Sequence, residues 1–543
     1  MENQGTGVKK DFTTNSDGRF YEGQVLIGTY RVTVEKTGFQ KFVQSNIQVN
    51  VAQTVSLEIP LKVGDIATTV EISAVAAHLT TEASSVSTVV NSKAILDLPS
   101  SSRNPFSLAT LAPGVNPGAG TNPGTGTGTT PWISGGRNAS SEITIDGTSV
   151  IVPENNVSIN DLGYTPIQDS VEEFSIITNA PTAEYGRTGG GVINVATRSG
   201  TNDLHISAYE FLKNSALNTN TWANNRNGSK LAALQQNQFG GTAGGPVIIP
   251  HVYNGRNKTF FFFSEQVTYA RNGTSTATTV PIDAWKHGDF SQLKNGNGQP
   301  ITIYDPANLD SSGNRTPFPG NVIPTNRQDP VALGLMKYFP QPNAVPTNTF
   351  TYANNFFVQG KSPNDDLRFD SRLDHNFSDK FRMFMRGSYD SGFGPDFNGF
   401  GNIASSIGSG PSGTIFTNIA SNFIYTFNPT TILNVNLGYQ RKDNFHTPFS
   451  QGVAPSTLGL PKELDGIVDN YEFPQITING LGNGSQVLGQ SSFTTLKFIP
   501  YTYTAHADVT KVFTKHTIKA GYEFRKLFMN FRQLGSPDGQ YSF

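Results

Sequence analysis

The sequence predicts a mainly β protein: a small β-sandwich fragment, then an α+β region, then an incomplete transmembrane antiparallel β-barrel. Three observations carry this reading. The second half of the chain is built of runs that alternate apolar and polar residues at a period of two, as strands with two different faces do. In residues 366–377, Leu367, Phe369, Leu373 and Phe377 share one face, and Arg368, Asp370, Arg372 and Asp374 share the other. A strand charged at every second position suits a wall with lipid on one side and water on the other. The connections between these runs alternate long and short, the asymmetry of outer-membrane barrels. No run of 18 apolar residues occurs, so helical crossing is excluded and crossing by strands is not.

Composition fits this class. The chain has 543 residues, enough for several domains, and only 15% are charged, with net charge -2. No charge bias points to nucleic acid. Glycine is plentiful at 55 residues, aromatics make up 11%, and hydrophobic content is only 36%, which alternation explains. Cysteine is absent, which removes a disulfide framework and thiolate metal sites.

Residues 1–64 read as the sandwich fragment. Asp17-Gly18-Arg19-Phe20 is a turn into a strand, residues 28–35 alternate cleanly, Gly38-Phe39 turns the chain, and residues 47–51 and 55–61 supply two more strands. Residues 65–80 form a linker containing Thr69, Val70, Glu71, Ile72, Ser73 and Ala74, an extended run that suits a sandwich edge strand. Residues 81–200 hold a short helix at 92–98, a Gly/Pro/Thr-rich loop at 114–131, and strands at 142–145, 171–178 and 192–197. Asp146-Gly147 supplies a tight turn, and Gly186, Gly189, Gly190 and Gly191 give a flexible approach to the last strand.

Residues 201–543 read as the N-terminal part of the barrel. Strands are expected near 203–213, 237–248, 257–270, 365–377, 380–391, 414–427, 431–442, 497–512 and 516–530. The short connections fall near 249–256, 378–379, 428–430 and 513–515, and the long ones near 214–236, 271–364, 392–413 and 443–496. The longest carries a helix at 331–338. Phe260 to Phe263 read as a lipid- or girdle-facing segment. Nine strands is an odd count where single-chain barrels have even counts, so an open half-barrel with two free edges is expected. The start, Met1-Glu2-Asn3-Gln4-Gly5, has neither a basic nor an apolar signal region, so the signal peptide is expected upstream.

Several of these residues carry a family resemblance. Ile133, Gly135 and Arg137, then Ile145-Asp146-Gly147, then Val171-Glu172-Glu173-Phe174, then Ala183-Glu184-Tyr185-Gly186 with Gly190-Gly191-Val192-Ile193-Asn194-Val195-Ala196-Thr197, resemble the four ordered motifs of the plug domain of TonB-dependent outer-membrane receptors. Thr182-Ala183-Glu184 departs from the usual small residues there and is similar to the Oar-like branch. That branch carries a carboxypeptidase-regulatory-like domain, with its carbohydrate-binding-like fold, in front of the plug. Residues 1–64 resemble that domain through the D-x-x-G-x-F turn, the G-x-Y-x-V-x-V strand and the Gly-Phe turn, although Asp17 stands one residue too close to Gly18. Thr69, Val70, Ile72 and Ala74 also resemble a TonB box, so residues 69–74 carry two readings. A box would pair by strand addition with a partner's sheet edge.

Other chemistries find little footing. The glycine run at 186–191 is followed by Val192-Ile193 without the lysine that a phosphate-binding loop needs. The eight histidines are scattered, which argues against zinc. Asp310, Ser312 and Asn314 faintly suggest a calcium loop, but position 321 is asparagine where the acidic twelfth ligand belongs. No catalytic residue, metal or cofactor is expected, and the chain does not read as an enzyme. The resemblance implies a transporter in the cell outer membrane that takes up an unidentified extracellular ligand by plug displacement. Its partners would be a TonB-type energy-transducing complex and outer-membrane lipid. The alternatives are a non-transporting barrel for adhesion or envelope organisation, and a carbohydrate-binding β protein.

Overall fold

The computed structural model describes residues 1–23, 25–51, 53–65, 69–73, 85–100, 103–116, 132–136, 140–153, 160–226, 230–231, 233–480, 485–491, 493–513 and 516–543. Most of the expected loop at 114–131, together with Arg137 and Ala74, lies outside these residues.

The N-terminal sheet has four strands in sequential order, Glu2–Asn3, Gly28–Val34, Lys41–Val49 and Thr69–Ser73. The first three are antiparallel, and the last runs parallel to the third, from Lys41↔Thr69 to Ser45↔Ser73. The run at 69–73 is therefore an edge strand of this sheet. Tyr30, Val32 and Ile47 form its small core, with Val55, Leu57 and Ile59 packed on them. Residues 55–61, expected as a strand, carry no ladder. Their alternation half-buries three side chains, but both edges of Lys41–Val49 are already taken over part of its length. The strand expected at 47–51 starts earlier, at Lys41. A bulge opposite Tyr30 and Val32, with Asn46 at φ 61°, hides its first half from a period-two reading.

The second unit is a five-stranded sheet in the spatial order Val86–Asn91, Val171–Asn179, Val192–Thr197, Glu142–Ile145, Thr148–Ser149. The helix Ser92–Asp97 follows the first strand, and Asn91 caps it by accepting from the Ala94 amide at 2.9 Å. Asp146 and Gly147 both have positive φ, 49° and 78°, the geometry that lets a two-residue turn match strand twist. Every residue of Glu142–Ile145 and Val192–Thr197 is buried. Alternation here divides two interiors rather than core from solvent. Ile143, Ile145, Ile193 and Val195 enter the apolar core with Phe174 and Ile176. Between them, Thr144 donates to the Asn194 side-chain oxygen at 2.7 Å.

The third unit is a wall of nine antiparallel strands in sequential order: His205–Asn214, Leu234–Pro246, Thr259–Thr278, Phe356–Ser378, Phe381–Pro395, Pro411–Asn428, Thr431–His446, Thr495–Val512 and Thr517–Leu534. Among the described residues, the first and ninth strands each pair with one neighbour and not with each other, so the wall is open. Leu373 and Phe377 are exposed on the outside, whereas Asp370, Arg372 and Asp374 are buried inside. The inner face is not wet, as alternation suggested, because the five-stranded unit packs against it. Phe260 and Phe262 point inward and are buried, and Phe263 is exposed outside. Period two cannot place four consecutive phenylalanines on one face.

The third and fourth strands outrun expectation. They pair over 20 residue pairs, from Thr259↔His375 to Thr278↔Phe356. Gly273, Thr274, Ser275, Gly360 and Ser362 broke the apolar alternation, yet the backbone ladder continues through them. Beyond the wall, connections 279–355, 396–410 and 447–494 pack together over Val280, Leu335, Phe339, Ala404, Leu458 and Phe473. The helix Pro330–Met336 lies here, capped by Asp329. Gln540–Ser542 joins this cap by pairing parallel with Gln475–Ile478.

Candidate functional site

Buried polar and charged residues converge at the interface between the five-stranded unit and the wall. Asp146 sits at the hairpin turn, 49 residues before Val195 and far from the wall in sequence. Its carboxylate accepts from Arg372 Nη1 at 3.1 Å and lies 2.9 Å from Arg386 Nε. Arg372 and Arg386 come from adjacent wall strands, where they are paired across the ladder. Thr197 donates to the same carboxylate through its amide at 3.0 Å and its hydroxyl at 2.7 Å. Arg372 is also paired with Asp374 at 2.9 Å and lies over the Phe384 ring. The remaining donors of Arg386 reach Ser388 and Asn418, both at 2.7 Å, and the Ile145 carbonyl at 3.3 Å.

A second carboxylate works beside the first. Asp370 of the wall accepts from the Tyr164 hydroxyl at 2.8 Å, Ser170 at 2.6 Å and Ser388 at 2.5 Å. Tyr164 and Ser170 belong to the inner unit, and Tyr164 stacks on Phe416 of the wall. Ser388 therefore links Asp370 to Arg386. Elsewhere Glu142 pairs with Arg525 at 3.0 Å, Glu184 pairs with Lys519, and Gln440 donates to the Ile151 carbonyl at 2.8 Å. Buried charges are tolerated only when paired and hydrogen-bonded. These pairs hold the inner unit through directional contacts, while its apolar core stays largely its own.

The sequence-derived site residues fall into two neighbourhoods. Asp146 and Gly147 lie at the wall, and Gly147 has room for little, since a Cβ there would stand 3.1 Å from Asn436 Nδ2. Tyr185 and Asn194 meet through a 2.9 Å bond from the amide nitrogen, and burial pushes the Tyr185 hydroxyl up. Gly190 approaches Gly136, where a Cβ on Gly136 would come within 2.7 Å of Gly190 Cα. Gly191 has φ 97° and packs against Ile133. Gly135 has φ 74° in the turn after Ile133, and Gly186 stands in open space. Glu172 pairs with Arg198 at 3.4 Å. Arg386, Asp370 as an acceptor, Tyr164 and Ser170 had no local signal. The charges alternating along 366–374 were visible, but their partners were not.

An open wall with an apolar outer face, packed against a separately folded domain through buried ion pairs, has the construction of part of an outer-membrane β-barrel. The chain belongs to the outer membrane beta barrel domain family, whose model matches residues 196–543, and a carboxypeptidase regulatory-like domain matches residues 1–62. It is 27% identical over 286 residues to the TonB-dependent transporter Oar of Myxococcus xanthus, covering 50% of this chain and 25% of that protein. Its fold is similar to the outer membrane transporter YddB from Escherichia coli, with TM-score 0.50 and 13% identity over 82% of this chain and 48% of that one. The chain thus spans a quarter of the curated relative and about half of the solved one. Its place is the outer membrane, and it is similar to TonB-dependent receptors.

Proposed function

We propose that this chain is part of a TonB-dependent transporter that admits a ligand when its plug is displaced. The observation that carries the reading is the Asp146 cluster. A plug seated by ion pairs and hydrogen bonds can exchange them for water when it moves, whereas one sharing an apolar core with the wall would expose that core. Residues 69–74 are the proposed TonB box, which an energy-transducing complex in the inner membrane would engage by strand addition. The motif residues Gly135, Arg137, Asp146, Gly147, Glu172, Tyr185, Gly186, Gly190, Gly191 and Asn194 are assigned to shaping and seating the plug. The reaction class is transport, without covalent chemistry.

The test compares solutes remaining in spent medium, by mass spectrometry, for cells with and without the full-length gene, in strains with and without the transducer. At least one solute is expected to persist when either is missing. Equal depletion in all four strains would overturn the reading. The ordered cap favours a second reading, a barrel that displays a folded surface for adhesion. Cell attachment that needs the cap and ignores the transducer would select it.

A further inference from the structure

The wall's short connections, 247–258, 379–380 and 429–430, lie at the end that barrels turn to the periplasm. The N-terminal sandwich sits against this end. Asn202, where the plug enters the wall, donates through Nδ2 to the Thr6 carbonyl at 2.5 Å and to Asn257 Oδ1 at 2.5 Å. Lys10 Nζ donates to Thr426 Oγ1 at 3.1 Å, and Arg382 Nη2 donates to the Gly23 carbonyl at 3.3 Å. A Cβ on Gly23 would stand 3.1 Å from Ile432 Cδ1. These contacts flank three different short connections. A further contact reaches the plug itself, where the Val51 amide donates to the Glu173 carboxylate. Burial pushes Glu173 up to about 7.

The character of this contact matters as much as its position. The sandwich core of Tyr30, Val32 and Ile47 is separate from the plug core around Ile143 and Phe174. The hydrogen bonds joining the bodies are few and polar, as in interfaces between domains that part readily. Yet Thr69–Ser73 is built into the sandwich sheet by five residue pairs with Lys41–Ser45. A partner can add along the free edge of this strand, and a pull on it is then passed through the ladder to the whole sandwich sheet.

We propose that the N-terminal sandwich is a lid across the periplasmic mouth of the barrel, which stores Thr69–Ser73 as its edge strand and leaves the mouth when that strand is pulled. The lid rests on the proposed pulling of residues 69–74. Closed, it ties the short connections to the plug strand Val171–Asn179. Open, it frees the plug's periplasmic face. The partner it fits is an extended segment able to pair with the free edge of Thr69–Ser73.

Disulfide trapping tests this in the full-length protein. Residues 1–543 contain no cysteine, so Gly23→Cys with Ile432→Cys places one defined pair within them, any cysteine outside them being replaced by serine, and the isoleucine change removes the atom nearest the new Cβ. Cross-linking is expected in cells de-energised with a protonophore, and its loss is expected in energised cells. Deleting the transducer should restore it. Absence of the cross-link in de-energised cells, or equal yield in both states, overturns the lid. Lys10→Cys with Thr426→Cys, joined by a flexible bis-maleimide, repeats the test at a second contact should the first pair fail to assemble. Transducer-dependent uptake beside an unchanging cross-link overturns the lid alone, whereas transducer-independent uptake overturns the transport reading.

Discussion

The carboxylate of Asp146 lies 2.9 Å from the Arg386 guanidinium, with both side chains almost wholly buried between plug and wall. The contact joins a two-residue turn to a strand about 240 residues later, and Arg372 completes it from the neighbouring strand. Removing one partner of such a cluster leaves the others charged and dry.

Asp146→Ala is accordingly expected to weaken plug seating by about 3–5 kcal/mol, the usual consequence of orphaning a buried charge. The wall has its own ladder and should still assemble. Protease sensitivity of the plug in folded, membrane-inserted protein measures the effect. Unchanged protection would show that the cluster does not hold the plug.

Neighbouring residues on one strand should fail in different ways. Leu373→Arg places a charge on the lipid face and is expected to cost about 2–4 kcal/mol at mid-bilayer. The deficit would appear in folding into lipid vesicles. Arg372→Gln should insert normally and loosen the plug, because its side chain meets Asp146 and Asp374 rather than water. Impaired insertion of Arg372→Gln would contradict the inward assignment.

Proline at Val70 or Ile72 removes a backbone donor from the strand facing Phe42 and Gln44. Barrel assembly is expected to be normal and transducer-dependent solute uptake lost. Uptake at the level of the unaltered protein in both variants would place the box elsewhere.

The cap carries a pH dependence. Burial, with Glu472 and Asp465 nearby, pushes Asp538 from its ordinary 3.8 up to about 6, although the Glu472 amide donates to it at 2.5 Å. The folded cap therefore holds a proton that the unfolded segment releases between these values. Cap stability is expected to fall as pH rises from 3.8 to about 6 and to level off above. Hydrogen exchange at Gln475–Ile478, corrected for intrinsic rates, should quicken over that window, and Asp538→Asn should flatten the change. A slope of opposite sign would show that another group governs the junction.

Much of this architecture was legible locally. The period-two pattern located all nine wall strands, and the Asp146-Gly147 pair specified its turn, because strand faces and turn angles are set by adjacent residues. The partners of Asp146 were not legible, since nothing near Arg372 or Arg386 encodes what fills the space in front of them. For the same reason the polar face of residues 366–377 read as wet. The cap was hidden differently. Val280 and Leu335 come from one connection, Ala404 and Leu458 from two others, and they share no period. Residues 69–74 could be read as an edge strand or as a box, and for residues 69–73 the edge strand is the state the structure shows.

The paired third and fourth wall strands give the cap an elevation. A tilted crossing consumes about 9–11 residues of each strand. Their ladder runs through 20 pairs, so roughly half of it stands clear of hydrocarbon. That surplus forms a stiff mast of about 30 Å along the strand direction, at roughly 3.3 Å per residue. The cap is thus carried above the lipid headgroups, where a particle or polymer too bulky to approach the bilayer can still touch it.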